Sequence, residues 1–115
     1  MTLDPAALAN LLDITGGDAA FVDELVDTFL SDAEEQLAAL RDAVAAGDDA
    51  AIQRPAHSLK TNSLNVGATT LADLTRALEV DARAGSVPDA GPRVEAVAAE
   101  FGAVREALLA ERTSR

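Results

Sequence analysis

Residues 19–46 contain neither proline nor glycine, and this unbroken stretch constrains the fold more than any other feature of the sequence. Its apolar residues recur every three or four positions and most of its acidic residues lie off that stripe, which is the pattern of an amphipathic helix. Asp18 can cap the start of this helix, and Gly47 fits the position just after its end. At 1.5 Å per residue the helix would be about 40 Å long. The apolar stripe comprises Val22, Leu25, Val26, Phe29, Ala33, Leu37, Leu40 and Val44.

The rest of the chain also has helical patterns, with no alternation typical of a β-strand. Asp4 and Pro5 open a short first helix, and Thr70 with Asp73 has the spacing of a capping box. Pro55 is expected to bend its helix about one turn from the start, because proline removes a backbone hydrogen bond. Residues 85–92 are predicted to form a loop and residues 111–115 a frayed tail. The predicted helices are 4–14, 18–46, 49–66, 70–84 and 93–110.

The composition indicates how these helices pack. Hydrophobic residues make up 49% of the chain but aromatic residues only 3%, so the core must consist largely of Ala, Leu and Val. Such a core suits closely packed helices joined by short loops. We therefore predict an all-α fold for residues 1–115 as a single domain. Its architecture would be an antiparallel up-down four-helix bundle with an additional short N-terminal helix.

The charge and the missing residue types exclude several classes of function. A formal net charge of −11 disfavours binding to nucleic acid or to an anionic membrane surface. With no cysteine and one histidine, the chain lacks the usual ligands of zinc. No glycine-rich nucleotide loop is present, no apolar run approaches the roughly 20 residues of a membrane span, and the N-terminus lacks the basic region of a signal peptide. We expect a cytoplasmic protein.

The only histidine, His57, is predicted to face away from the core. At about 100° per residue, the apolar side of its helix is formed by Ile52, Leu59, Ser63 and Val66. His57 points almost the opposite way, with Gln53, Lys60, Thr61 and Leu64 within about 60° of it. The simplest interpretation is an ordinary surface histidine. Leu64 argues against it, because an isolated bundle would favour a polar residue on that outer face.

The residues around His57 resemble the signature of histidine phosphotransfer (HPt) domains. The resemblance lies in His57-Ser58-Leu59-Lys60-x-Asn62-Ser63-x-Asn65-Val66-Gly67-Ala68, followed by Leu71, Leu74, Leu78 and Glu79. The helical layout is similar to that family along nearly the whole chain, which implies an exposed histidine midway along one helix of a four-helix bundle. Thr61 departs from the pattern, since the family often has glycine or a small serine there. Its extra methyl group could crowd an incoming partner.

The resemblance implies a phosphocarrier that is not an enzyme. His57 would accept a phosphoryl group from the aspartate of a receiver domain and pass it to another receiver, while Lys60 would stabilise the phosphoryl charge. The partners would be response-regulator receiver domains and/or a hybrid histidine kinase. The receiver would supply Mg²⁺, so the chain would need no cofactor or metal of its own, and we expect a monomer. Two alternatives stay open: the phosphoacceptor domain of a chemotaxis-type histidine kinase, and a degenerate bundle that only binds proteins.

A docking surface is predicted beside His57. Leu64 would form an exposed apolar patch with residues of the long second helix such as Val26 or Leu30, flanked by Gln53 and Thr61. Receiver encounters are expected to be small and transient, so one central apolar anchor could contribute much of the affinity.

Overall fold

The computed structural model describes residues 2–114, which form five α-helices. They are α1 (Pro5–Ile14), α2 (Ala19–Ala45), α3 (Gln53–Asn65), α4 (Thr69–Ala84) and α5 (Ala90–Ser114). A 3₁₀ helix, Asp49–Ile52, leads directly into α3. These residues contain no β-strand, so the all-α prediction is confirmed.

The four longer helices form a closed ring in which each packs against two neighbours. α2 contacts α3 and α5, and α4 contacts the same two helices from the other side. Ion pairs at both ends show that α2 and α5 are antiparallel: Arg41 bonds Glu95 at 2.9 Å, and Arg112 bonds Asp27 at 2.9 Å. The four-helix-bundle prediction is therefore confirmed. The core between the helices includes Ala33, Leu40, Ile52, Leu59, Leu71, Leu78, Val97 and Val104, all of them fully buried.

Aromatic packing joins α2 to α5 inside this core. Phe29 and Phe101 meet with ring centroids 6.2 Å apart and planes tilted by 57°, a separation at which aromatic pairs attract each other. The predicted apolar stripe of α5 is buried throughout: Val94, Val97, Phe101, Val104 and Leu108. None of the helices within residues 2–114 is both long and apolar enough to cross a membrane.

The short helix α1 lies against the turn between α3 and α4. Asp4 caps α1 with its carboxylate, which accepts from the Ala6 amide at 3.0 Å, as the sequence predicts. The Asp4 amide in turn donates to the Gly67 carbonyl at 2.7 Å. Gly67 has a φ of +74°, and a Cβ atom there would overlap the Cβ of Ala7. Glycine is therefore required both by the left-handed turn and by the close approach of α1.

The prediction that Pro55 lies one turn inside an α-helix and removes a backbone hydrogen bond there is wrong. The helix predicted for 49–66 consists of the 3₁₀ helix followed by α3, so that Pro55 is the third residue of α3. The amide groups of the first helical turn have no intrahelical partner, so a proline there removes no hydrogen bond. Pro55 is buried in the first turn, where its ring adds to the packing.

The boundaries of α4 and α5 also differ from the prediction. α4 begins after Ala68, so Thr70 lies inside the helix and the predicted capping box does not form its start. α5 begins at Ala90, which places Pro92 in its first turn, where proline is tolerated. It also continues through Ser114, so the predicted frayed tail is wrong for residues 111–114. Arg112 explains the extension, because it donates to the Asp23 carbonyl at 2.8 Å and thereby ties the end of α5 to α2.

Candidate functional site

His57 occupies the outer face of α3, as predicted from the helical periodicity. Its side chain is 56% exposed. On the opposite side of the same helix, Ala56, Leu59 and Ser63 are fully buried. The packing of α3 against its neighbours therefore holds the histidine at a fixed place on the surface.

Glu79 of α4 lies directly beneath the imidazole ring. Its side chain is only 4% exposed, and its Oε2 contacts Nδ1 of His57. Its other oxygen, Oε1, accepts a hydrogen bond from Nζ of Lys60 at 2.8 Å. One turn further along α4, Nη2 of Arg83 lies 3.9 Å from the same oxygen. Both oxygens of this buried carboxylate are thus engaged by residues of α3.

The surroundings of Glu79 keep it ionised. The hydrogen bond from Lys60 lowers the pKa of the Glu79 carboxyl group below its ordinary value of 4.5, and the contact with His57 acts in the same direction. Burial acts the other way, but the net shift is downward. A carboxylate can only accept hydrogen bonds, so in the neutral imidazole Nδ1 carries the proton. The lone pair is then on Nε2, and this half-exposed ring is open to a reaction partner.

Lys60 lies on the same side of His57 as Glu79. Its side chain is only 19% exposed, and its ammonium group binds the carboxylate. Lys60 is therefore close to the imidazole, as the helical spacing predicts, but its partner in this structure is Glu79.

A groove opens on the other side of His57, between α3, α2 and α1. Its volume is about 570 Å³. Apolar side chains from α1 and α2 meet polar side chains from α3 in its lining. The lining consists of Leu11, Leu25, Thr28, Phe29, Asp32, Gln36, His57, Ser58, Thr61, Asn62, Asn65 and Val66.

The predicted docking residues are only partly brought to the surface. Leu64 is 49% exposed and Thr61 is exposed, whereas Gln53 and Leu30 are half-buried. Val26 is 2% exposed, so its inclusion in an exposed patch is wrong. It belongs to the apolar stripe of α2, which faces the core. Leu30 also packs partly against that core, so α2 offers less apolar surface here than predicted.

Two features of the site were not assigned a role from the sequence. Glu79 is part of the quoted signature, yet its contact with His57 depends on how α4 is placed against α3. Its position at the margin of the apolar stripe of α4 is the one signal that the sequence offers. The other feature is Asp32 of α2, which accepts a hydrogen bond from the Asn62 amide across the groove. Among the described residues, no group of three or more His, Cys, Asp or Glu side chains could hold a metal ion.

The comparisons with known proteins found one family model and one solved structure that are similar to this chain. The family model described as the Hpt domain matches residues 24–107. The chain is also similar to the crystal structure of histidine-containing phosphotransfer protein B (HptB) from Pseudomonas aeruginosa PAO1, with 37% sequence identity and a TM-score of 0.90. That match covers 99% of this chain and 96% of the other. No curated protein sequence matches the chain significantly.

Proposed function

The chain belongs to the Hpt domain family, and from that premise we propose that it carries phosphoryl groups on His57 in a His-Asp phosphorelay. In this proposal a receiver-domain aspartate donates the phosphoryl group and a second receiver accepts it. The partners are response-regulator receivers, alone or within a hybrid histidine kinase. The chain is the carrier and has no kinase or phosphatase machinery of its own, and it works in the cytoplasm alongside these partners.

The contact between Glu79 and His57 is the observation that carries the proposal. A carboxylate on Nδ1 fixes both the tautomer and the orientation of the ring, as in other sites where a histidine acts through its second nitrogen. The reactive Nε2 is left facing outward on a side chain that is 56% exposed.

The transfer step follows from this arrangement. The lone pair of Nε2 attacks the phosphorus atom of the receiver's aspartyl phosphate. The N–P bond forms as the P–O bond to the aspartate breaks, and the aspartate leaves as a carboxylate with the electron pair. Nδ1 keeps its proton, so the phosphorylated ring is cationic, and the carboxylate of Glu79 balances that charge. Transfer to the second receiver is the same step in reverse.

Charge stabilisation of the phosphoryl group is divided between the two proteins. Phosphoryl transfer depends mainly on positioning and on neutralising the equatorial oxygens. The receiver supplies Mg²⁺, and this chain supplies the ammonium group of Lys60 beside the ring. Nζ of Lys60 donates to Glu79 at 2.8 Å, so it lies near the ring and has to give up part of this ion pair to reach the phosphoryl group.

The test uses receiver domains loaded with a small-molecule phosphodonor and Mg²⁺, drawn from the genome that encodes this chain. We expect at least one receiver to give wild-type protein an acid-labile, base-stable phosphate, and His57→Gln to receive none. Because His57 is largely exposed, the variant should keep the helical circular-dichroism signal and thermal midpoint of wild type. Labelling of the folded variant would contradict the assignment of His57.

The same assay separates the alternatives. A chain labelled only by a kinase with its ATP-binding domain would be the phosphoacceptor domain of a chemotaxis-type kinase. A chain that binds receivers but is labelled by none of these donors would be a protein-binding module.

A further inference from the structure

The groove beside His57 contains a carboxylate with no cationic partner among residues 2–114. Asp32 is half-buried on α2, and Asn62 lies opposite it on α3. Its Oδ1 accepts from Nε2 of Gln36 at 3.3 Å, and its Oδ2 accepts from the Asn62 amide. Within residues 2–114, none of the ion pairs formed by lysine or arginine side chains involves Asp32. Two neutral amides therefore orient Asp32 without neutralising it.

Two cations close to His57 approach the other carboxylate of the site. Lys60 and Arg83 both approach Glu79, whereas Asp32 lines the groove on the side of α2. Glu35 is exposed and shares a second surface hollow with Asp32, so it adds negative charge at this edge, whereas Asp27 in the same hollow pairs with Arg112. The cationic groups of Lys60 and Arg83 thus lie on the α4 side of His57, whereas Asp32 on the α2 side keeps an uncompensated negative charge.

Burying Asp32 further would be costly without a cation. A receiver that covers the groove removes water from this carboxylate, and an unpaired charge in such a place destabilises the complex strongly. The same carboxylate paired with a lysine or arginine strengthens association and guides its orientation. The apolar walls, Leu11 and Phe29 among them, favour an apolar side chain beside that cation.

We propose that Asp32 selects the partner: the receiver that docks over His57 inserts a lysine or arginine, next to an apolar side chain, into the groove to pair with Asp32. The inference rests on the proposed function and deepens it, because it states which receiver surface fits. Asp32 is a positioning residue. It lies apart from the His57–Glu79 pair and acts on the encounter with the partner, while the chemical step remains with His57.

The test uses the receiver that labels wild-type His57 and measures phosphotransfer over a range of salt concentrations. Asp32→Asn keeps the shape of the side chain and removes its charge. We expect KM to rise about tenfold, equivalent to about 1.4 kcal/mol, with kcat within about twofold of wild type. The dependence of kcat/KM on salt should become shallower, because one attractive charge pair is lost.

Charge reversal gives a result that a structural role cannot produce. In Asp32→Lys, added salt should increase kcat/KM, since it screens a repulsion, whereas in wild type added salt should decrease it. Glu34→Gln is the matched control, because Glu34 is an exposed carboxylate of α2 next to a different hollow, between α2 and α5. It should retain the KM of wild type and almost all of its salt dependence.

Three outcomes would overturn the inference. The first is an unchanged KM and salt dependence in Asp32→Asn with normal labelling of His57, which leaves the proposed function intact. The second is an Asn62→Ala variant, which keeps the charge of Asp32, with the same rise in KM and the same loss of thermal stability as Asp32→Asn. Asp32 would then only tie α2 to α3. The third is a wild-type chain that no receiver labels, which removes the proposed function and this inference together.

Discussion

The pairing of an exposed histidine with a buried glutamate defines the site at the scale of single residues. Exposure makes Nε2 of His57 accessible, and burial makes the charge of Glu79 effective, because a carboxylate shielded from water interacts more strongly with its neighbours. Lys60 completes the unit by holding the second oxygen of the carboxylate. The three side chains come from two helices, so the packing of α3 against α4 sets their geometry.

Removing the charge of Glu79 should slow the transfer. Glu79→Gln can still accept a hydrogen bond from Nδ1 but cannot balance a cationic phosphorylated ring, so we expect the rate of transfer to fall about tenfold. The loss of charge-assisted hydrogen bonds should also lower the free energy of unfolding by about 1–2 kcal/mol. Single-turnover labelling and urea denaturation measure the two effects. The control is Glu95→Gln, at an exposed carboxylate near the start of α5 that pairs with Arg41. An equal loss of rate in this control would argue against a specific role for Glu79.

Glu79→Gln should also change how the free energy of unfolding depends on pH. In the folded protein the pKa of Glu79 lies below its ordinary value of 4.5. The ionised carboxylate therefore stabilises the fold fully at a pH above the pKa of the unfolded state. This stabilisation is lost as the pH falls through the pKa of the folded state. Between about pH 6 and pH 3, wild type should therefore lose more free energy of unfolding than Glu79→Gln. Equal losses in the two proteins would show that Glu79 is not preferentially ionised in the folded state.

The orientation of single residues was predictable where one helix decides it. The 100° rule placed His57 and Leu64 outward and Leu59, Ser63 and Val66 inward, as the burial shows. Contacts between helices were not predictable in this way. Glu79 and Asp32 reach the site only through the relative placement of α4, α3 and α2, which the periodicity of one helix does not contain. The docking hypothesis for Val26 conflicts with its position in the apolar stripe of α2, which the sequence shows and the structure buries.

At the scale of elements, the packing of α1 against the α3–α4 turn depends on Gly67. Gly67 and Gly47 both follow a helix and have similar backbone angles, with φ of +74° and +66°. A Cβ atom at Gly47 would meet nothing within 4 Å, whereas one at Gly67 would overlap Ala7. A substitution at Gly47 therefore strains only the backbone, whereas one at Gly67 strains the backbone and also disturbs the packing of α1.

Substitution of these glycines by alanine should give unequal losses of stability. Gly47→Ala should cost about 1 kcal/mol, because only the left-handed backbone is strained. Gly67→Ala should cost at least about 1 kcal/mol more, since α1 must move away from the turn. Urea denaturation gives the totals, and faster hydrogen exchange of the Asp4 amide, which bonds Gly67, reports the displacement of α1. Equal losses in the two variants would mean that α1 does not pack on Gly67 in solution.

Helix ends were the least predictable part of the elements. Pro55 predicts a bend and Pro92 belongs to the predicted loop, but each lies in the first turn of its helix, where its missing amide proton is not needed. The far end of α5 was expected to fray, because its own sequence there is polar. It is held by Arg112, whose partners Asp23 and Asp27 are on α2. A contact so distant in sequence cannot be inferred from the local pattern.

At the scale of the whole molecule, little apolar surface is left for a second copy of the chain. The large hydrophobic side chains that remain exposed in the described residues are spread over the bundle, with one on each helix: Ile14, Phe21, Leu64, Val80 and Leu109. A stable dimer usually buries about 1,200 Å² or more with an apolar centre. The formal net charge of −11 also opposes self-association.

We therefore expect a monomer, which leaves the face around His57 free for a receiver. Sedimentation equilibrium should give a mass near 11.8 kDa that does not change with protein concentration. Lowering the salt concentration should not promote association, because repulsion between the acidic chains then extends further. Adding salt tests whether apolar contacts alone can drive self-association, because it screens the repulsion between chains and leaves apolar contacts in place. Leu64→Asp serves as the matched variant: if wild type forms a species of twice the mass at high salt and this variant does not, Leu64 lies in a self-association surface and the monomer prediction is wrong.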